Sequence, residues 1–354
     1  MWPATCSVRR ISAGPSPLPD MADLIVLNAP VLVTGGCGFL GRALVAQLLS
    51  RTACPVRVLA LPHEAVPPEW PDRVEVLRGD ITRRADVARA AQGCGHIFHL
   101  AALVGDAGTD AQHEHVTVGG TAHVFDVATH EGAIVVLTTS VCAYGDAIQN
   151  GVCLEDTPLG RPQGPYGRAK QGQEALAGRF MAQGGRVCVV RPANIIGPGS
   201  GPWLLDAAKA LRQGLPALVG GGEGNAALTA VDNVADFLLL AARTPDAWGQ
   251  VYNVHDGLPV TWRQYFVELA ALMAASRPRS IPRWLAYGLS DLTEPLFRRF
   301  FTRQRPPVTR EALNLIAWDN QFPIDKARAL GWTPRVTYPQ VMQQMRRDIM
   351  ARGL

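Results

Sequence analysis

A chain of 354 residues, 47% hydrophobic and 18% charged, has the make-up of an ordinary globular protein, long enough for one large domain or two unequal ones. That apolar content and a net charge of only +4 exclude intrinsic disorder, and the basic residues stand singly or in pairs rather than in the stripe that nucleic-acid binding needs. The seven cysteines form no C-x-x-C pair and their number is odd, so neither a disulfide framework nor a metal site is expected, and a reducing, cytoplasmic setting fits better.

Residues 1–28 are read as a flexible tail. Their first part is rich in Pro, Ser and Ala, lacks the apolar run of a signal peptide, and makes Met21 a candidate functional start. No run reaches the ~18 apolar residues of a membrane span. Residues 30–34 (PVLVT) predict a short strand, followed by a glycine cluster. A helix is predicted over 42–50, where Leu44, Val45, Leu48 and Leu49 recur at helical spacing. Further strands are expected at 56–61, 74–77, 96–100, 134–138 and 186–190, and further helices at 85–91, 120–130 and 170–183. The strand segments are apolar throughout, which suits strands covered on both faces. Strands alternating with helices imply a parallel sheet with right-handed crossovers.

The fold class expected is therefore α/β, a doubly wound parallel sheet. Residues 29–196 form its dinucleotide-binding core, and 197–354 are mainly a smaller substrate-binding lid with some segments returning to the core. The change is marked by Gly and Pro density over 197–224. The lid holds apolar residues such as Trp203, Leu204, Trp284, Leu292 and Leu296, which point to a hydrophobic small-molecule substrate or to plain packing. The segment 284–301 is amphipathic, but Asp291, Glu294 and Pro295 argue against a span. Walling a pocket or packing is its first reading, peripheral membrane contact its second.

Three motifs carry chemistry. Gly35, Gly38 and Gly41 follow the first strand and open the first helix. Glycines allow a tight turn and close backbone approach, and the helix N-terminus favours a pyrophosphate. The acid that holds a ribose 2′-hydroxyl belongs about twenty residues on. There stand the neutral Ala60 and Leu61, with Glu64 slightly late; Arg42 and His63 are candidates for a 2′-phosphate, so the cofactor NAD(P) leans to NADP(H). Tyr166 and Lys170 lie four apart, on one face of a helix, where an ammonium lowers the tyrosine's usual pKa of about 10. Ser140 follows the strand over 134–138, at the carboxyl edge where open α/β sheets bind ligands. Taken singly, these are also a turn, a surface pair and a cap; Cys142 is read as a packing residue.

Together the motifs resemble the extended short-chain dehydrogenase/reductase family, from about Val31 to the C-terminus. The resemblance implies a cofactor loop at 34–41, including Phe39 and Leu40, and an adenine-contacting segment at Gly79, Asp80 and Ile81. It implies a strand end passing the cofactor at His99, Leu100, Ala101 and Ala102, and a cofactor contact at Pro192 within RPANIIGPG. Ser140, Tyr166 and Lys170 match its catalytic trio, with Tyr166 and Lys170 also holding cofactor, while VDNVA (231–235) leads a structural helix. The form of these last segments is most similar to the 3β-hydroxysteroid dehydrogenase branch, which implies a hydrophobic alcohol or ketone substrate, and a homodimer. The alternatives are a nucleotide-sugar epimerase or dehydratase with tightly bound NAD, and a non-catalytic cofactor sensor. Two positions depart from the pattern. Thr117 stands where many members carry Asn, and Ala226-Ala227-Leu228 replaces the Arg-Asp-Phe whose arginine holds a sugar nucleotide's diphosphate.

Overall fold

The computed structural model describes residues 25–27, 29–105, 108–300 and 308–354. Met21 and the first 24 residues lie outside the described residues. Ile25 and Leu27, read as tail, are instead buried against the core, and the Ile25 N–H donates to the Arg51 carbonyl at 2.7 Å.

The chain opens with β1 (Val31–Thr34), α1 (Phe39–Arg51), β2 (Val56–Ala60), β3 (Val74–Arg78), α2 (Arg84–Ala91) and β4 (His96–His99). The next helix winds as α3 (Asp110–His113), a π-helical stretch (Glu114–Gly119) and α4 (Gly120–Glu131). It thus begins ten residues before the predicted 120–130. Then come β5 (Ile134–Thr138), a 3-10 stretch (Val141–Asn150), α5 (Pro165–Ala182) and β6 (Val187–Pro192). The helix α5 starts ahead of the predicted Lys170 because Pro165 occupies its first turn, after Gly164 in extended conformation. Tyr166 and Lys170 thus share the first two turns of one helix, as their spacing predicts.

The C-terminal part holds β7 (Asn194–Ile196), a π-helical turn (Gly201–Asp206), α6 (Ala207–Arg212), β8 (Pro216–Val219), β9 (Leu228–Ala230), α7 (Val231–Arg243) and β10 (Val251–Val254). It ends with α8 (Trp262–Leu272), β11 (Arg279–Ile281), α9 (Arg283–Phe300), α10 (Arg310–Ile316), α11 (Asp325–Ala329) and α12 (Tyr338–Arg352).

The main sheet has seven strands in the order β10-β6-β5-β4-β1-β2-β3, every neighbour parallel. Its central strands are buried on both faces, as their unbroken Val, Ile and Leu runs require. One apolar layer lies under α1 and α7, the other under α2, α4 and α5. The order reverses between β1 and β4, so a crevice opens at their carboxyl ends. Two elements from the part read as mainly lid return to this core: α7, buried nearly all round, and β10, the seventh strand. A third cluster, around Trp262, Tyr265 and Phe266 with Met345 and Ile349, forms the core of the C-terminal unit.

The VDNVA segment is a clip. The Asn233 side chain donates to Asp256 and to the Val336 carbonyl, and accepts from the Arg335 and Val336 N–H groups, all within 2.9 Å. The apolar side chains of the lid divide. Leu204 is buried with Trp203 beside it, but Trp284, Leu292 and Leu296 on α9 face solvent. Among the described residues, no helix is long and apolar enough to cross a membrane.

A buried ion pair fastens α5 to the sheet. Arg191 on β6 donates twice to Glu174, at 2.9 and 2.6 Å, Thr139 adds a hydroxyl at 2.9 Å, and the guanidinium lies 4.5 Å from the Tyr144 ring centre. Both side chains are below a tenth exposed, so removing one partner strands a buried charge. Arg191→Met should lower unfolding stability by about 3–5 kcal/mol, measured by denaturant titration.

Candidate active site

The glycine turn is dictated by space. Gly35 has φ +71°, and a Cβ there would stand 2.9 Å from the Ala101 nitrogen. A Cβ on Gly41 would reach within 2.1 Å of the Gly35 carbonyl oxygen, so the turn and α1 close only on glycine. The first turn of α1 has no capping side chain and no acid. Its N–H groups and dipole therefore favour an anion above Gly35–Gly41 and beside Phe39 and Leu40. Across the crevice, Leu100, Ala101 and Ala102 follow β4. Asp80 and Ile81 follow β3, with the Asp80 carboxylate accepting from the Thr82 N–H at 2.8 Å and Ile81 packed on Gly120. Pro192 ends β6. The Thr138 hydroxyl is buried beside Lys170 with no hydrogen-bond partner among the described residues. A glycine cradle at a helix N-terminus and an unused buried hydroxyl at the far end fit a dinucleotide laid across the strand ends.

Ser140 leaves β5 in extended conformation, its hydroxyl accepting from the Cys142 N–H at 3.1 Å and near enough to the Tyr166 phenol to act on its ionisation. Tyr166 is half-buried on the first turn of α5, and Lys170, one turn on, is only 2% exposed. The Lys170 Nζ lies 5.4 Å from the Tyr166 ring centre and donates to the Thr138 carbonyl at 3.1 Å and to Gln173 Oε1 at 2.8 Å. Burial pushes Lys170 down to about 8, opposed by Cys142 and Glu174. The expected lowering of Tyr166 is absent from this structure. Burial, Cys142 and Glu311 all raise it, and only Ser140 acts the other way. The ammonium is turned to Thr138 and Gln173, so its proton donors do not meet the phenol.

Below Lys170 lies a polar chain that the sequence reading missed. Gln173 Nε2 donates to the Thr121 hydroxyl at 2.7 Å, His99 Nε2 stands 2.9 Å from that hydroxyl, and His99 Nδ1 stands 2.7 Å from the Thr34 hydroxyl. His99 was marked only as part of the strand end at 99–102, and Gln173, Thr121 and Thr34 stand in ordinary helix and strand positions that carry no local signal of such a chain. Helical spacing could have pointed to Thr121, which lies on α4 four residues after Thr117 of the π-helical stretch and donates to its carbonyl. Thr117, at the departing Asn position, holds the Leu103 N–H at 3.1 Å with its hydroxyl. Glu311 on α10 also escaped notice; its carboxylate accepts from the Gly167 N–H at the start of α5. Ala226 and Ala227 are fully buried, and the Ala226 carbonyl accepts from Asn194. No cation stands at that position.

The model of the NAD dependent epimerase/dehydratase family matches residues 31–254. The chain belongs to that family. A ketoreductase of 4-hydroxy-2-methyl-3-oxo-4-farnesyl-3,4-dihydroquinoline-1-oxide from Stigmatella aurantiaca is 31% identical, over 89% of this chain and 95% of its own. The 2-alkyl-3-oxoalkanoate reductase of Stenotrophomonas maltophilia is 29% identical over 89% and 98%. The 3 beta-hydroxysteroid dehydrogenase/Delta 5-->4-isomerase of Mycobacterium tuberculosis is 30% identical over 89% and 88%. Among solved structures, the dTDP-glucose 4,6-dehydratase DesIV of Streptomyces venezuelae, with NAD and TYD bound, superposes with a TM-score of 0.73 at 25% identity, over 92% of this chain and 98% of that one. The protein is thus an enzyme of the nicotinamide-dependent dehydrogenase/reductase kind, on a Rossmann sheet.

Two outcomes follow from the geometry. Gly41→Ala should abolish measurable NAD(H) binding in a fluorescence titration. His99 is fully buried, and burial first, then Lys170, holds it down to about 3. Below 6.5 the unfolded chain takes up a proton that the folded chain refuses until about pH 3. Stability contributed by this residue is therefore present above 6.5 and falls with pH, by up to about 1.4 kcal/mol per unit. Thermal unfolding between pH 7 and pH 4 should show this slope, and His99→Gln should flatten it.

Proposed function

We propose that the protein moves a hydride between a nicotinamide cofactor and the alcohol or ketone carbon of a hydrophobic substrate, of the 3β-hydroxysteroid or β-hydroxy/β-keto kind. The observation that carries this reading is the convergence of Ser140, Tyr166 and Lys170 at the end of β5, with the Lys170 ammonium 5.4 Å from the Tyr166 ring centre and fixed on the Thr138 carbonyl. Nicotinamide, when bound, supplies the hydride chemistry. Ser140 and Tyr166 hold the reacting oxygen between them. In reduction Tyr166 gives its phenolic proton to that oxygen; in oxidation it takes the proton back. Lys170, with two of its N–H groups held by protein carbonyls, keeps a third for the cofactor. Water exclusion strengthens each of these contacts.

The substrate class draws on the buried Ala226 and Ala227, which offer no guanidinium to a diphosphate, and on the names of the reductase and hydroxysteroid dehydrogenase relatives. The second reading, a nucleotide-sugar epimerase or dehydratase holding NAD, is favoured by the likeness to DesIV. For the cofactor, Arg42 and the neutral end of β2 support NADP(H). Against that, the Glu64 carboxylate turns back to accept from the Leu61 N–H at 3.3 Å, a position that suits the ribose hydroxyls of NAD(H). Family resemblance supports a cytoplasmic homodimer, and the exposed Trp284, Leu292 and Leu296 of α9 support peripheral membrane contact.

The test is a titration with NAD(H) and NADP(H), followed by absorbance at the reduced-nicotinamide band with hydroxysteroids, β-keto acids and nucleotide sugars. Turnover of an apolar alcohol or ketone is expected. Turnover of nucleotide sugars alone, in protein that purifies with NAD, would replace this reading with the second. Tyr166→Phe should lower kcat by about 10²–10⁴-fold with cofactor affinity nearly unchanged.

A further inference from the structure

We infer that Gln173 is a positioning residue of this site: its side-chain amide holds the Lys170 ammonium and ties it, through Thr121 and His99, to Thr34 at the root of the glycine turn. The inference rests on the reading of Lys170 as part of the machinery. Lys170, Gln173, Thr121, His99 and Thr34 are each at most 2% exposed, so water is not there to replace any partner.

The proton arrangement is determined. An ammonium only donates, so the Gln173 atom facing Lys170 at 2.8 Å is its carbonyl oxygen, and the amide NH2 must face Thr121 at 2.7 Å. The Thr121 hydroxyl donates to the Thr117 carbonyl at 2.6 Å. It therefore receives from Gln173 and from His99 Nε2, which places the imidazole hydrogen on Nε2. His99 Nδ1 is then the acceptor for the Thr34 hydroxyl, which in turn receives the Ala101 N–H at 3.3 Å. Thr34 and His99 are register partners on β1 and β4, and Thr34 immediately precedes Gly35. Reversing the amide would set donor against donor at Lys170. One residue thus couples the lysine to the strand ends that shape both the glycine turn and the segment at Ala101. Thr117 stands outside this column, its hydroxyl accepting from the Leu103 N–H.

The groups facing Lys170 are Thr138 and Cys142 from β5 and the stretch after it, Tyr166, Gln173 and Glu174 from α5, Thr121 behind Gln173 on α4, and neutral His99 on β4. Glu174 is already engaged by Arg191. Gln173 and Thr138 are therefore the groups whose oxygens meet the ammonium, and a hydrogen bond to the charged form favours it. Removing the Gln173 acceptor should lower the titration midpoint of Lys170; replacing the amide by a carboxylate should raise it. Passive packing predicts no such opposite pair of shifts.

The chain has only three lysines, Lys170, Lys209 and Lys326, so a full-length protein carrying 13C-labelled lysine gives three Cε signals, assignable with Lys209→Arg and Lys326→Arg. In the wild type the Lys170 signal should titrate near 8. Gln173→Leu should move it down and Gln173→Glu up, each by about one pH unit. The alkaline limb of kcat/KM should move in the same directions, because the charged lysine is present below its midpoint and lost above it. A Lys170 midpoint that is unchanged in folded Gln173→Leu, or that falls in Gln173→Glu, overturns the assignment. Should Gln173→Leu fail to fold, the near-isosteric Gln173→Glu decides alone. The NMR readout needs no turnover: opposite shifts in a protein inactive toward every substrate would sink the functional reading while leaving the role of Gln173 standing.

Discussion

A buried ammonium is the constraint on which the rest of this structure turns. Lys170 is almost wholly out of water, and an unpaired cation there would cost more than a domain's whole stability. The protein meets that cost in two ways. It places the Thr138 carbonyl and the Gln173 amide against the charge, and it lets burial carry the lysine down to about 8, where the neutral form comes within reach. Each acceptor then needs its own neighbours, and the demand spreads: Gln173 requires Thr121, Thr121 requires a donor from His99, and His99 requires Thr34. A polar column through an otherwise apolar sheet is stable only when each member is satisfied.

The same demand explains why α5 sits where it does. The helix carries Tyr166, Lys170 and Glu174 at four-residue spacing along one face, and Glu174 is held by Arg191 from the neighbouring strand. The ion pair sets the height of the helix over the sheet, and the amide column sets its approach to β1 and β4. Between them the phenol of Tyr166 comes beside Ser140 without any loop having to be ordered first. Glu311 reaches in from α10 to the first turn of the same helix, so the C-terminal unit bears directly on the position of the tyrosine.

Much of this was legible beforehand where the signal is local. The glycine spacing, the four-residue separation of Tyr166 and Lys170, and the unbroken apolar runs of β1, β5 and β6 each follow from a short-range rule. Other features have no short-range rule. Helix α5 begins earlier than its apolar period suggests because Pro165 and Gly164 govern its start. Strand β10 is four residues long and carries Asn253 in its middle; it is a strand because β6 offers it an edge. On α9, the apolar side chains that composition assigned to a pocket wall point outward at Trp284, Leu292 and Leu296, because Ala286 and Ser290 occupy the inward face.

The sequence by itself determined the alternation of strands and helices through β6, the parallel sheet, the glycine turn and the placement of Ser140 after β5 and of Tyr166 and Lys170 at the start of α5, because each is encoded within a few positions along the chain. Only the tertiary structure decided which way Lys170 points, that Tyr166 is raised rather than lowered, and that Gln173, Thr121, His99 and Thr34 form one column. Those residues are separated by up to 139 positions in the numbering, and a hydrogen bond at 2.7–2.9 Å depends on how four separate elements are packed, which no pattern within one of them contains.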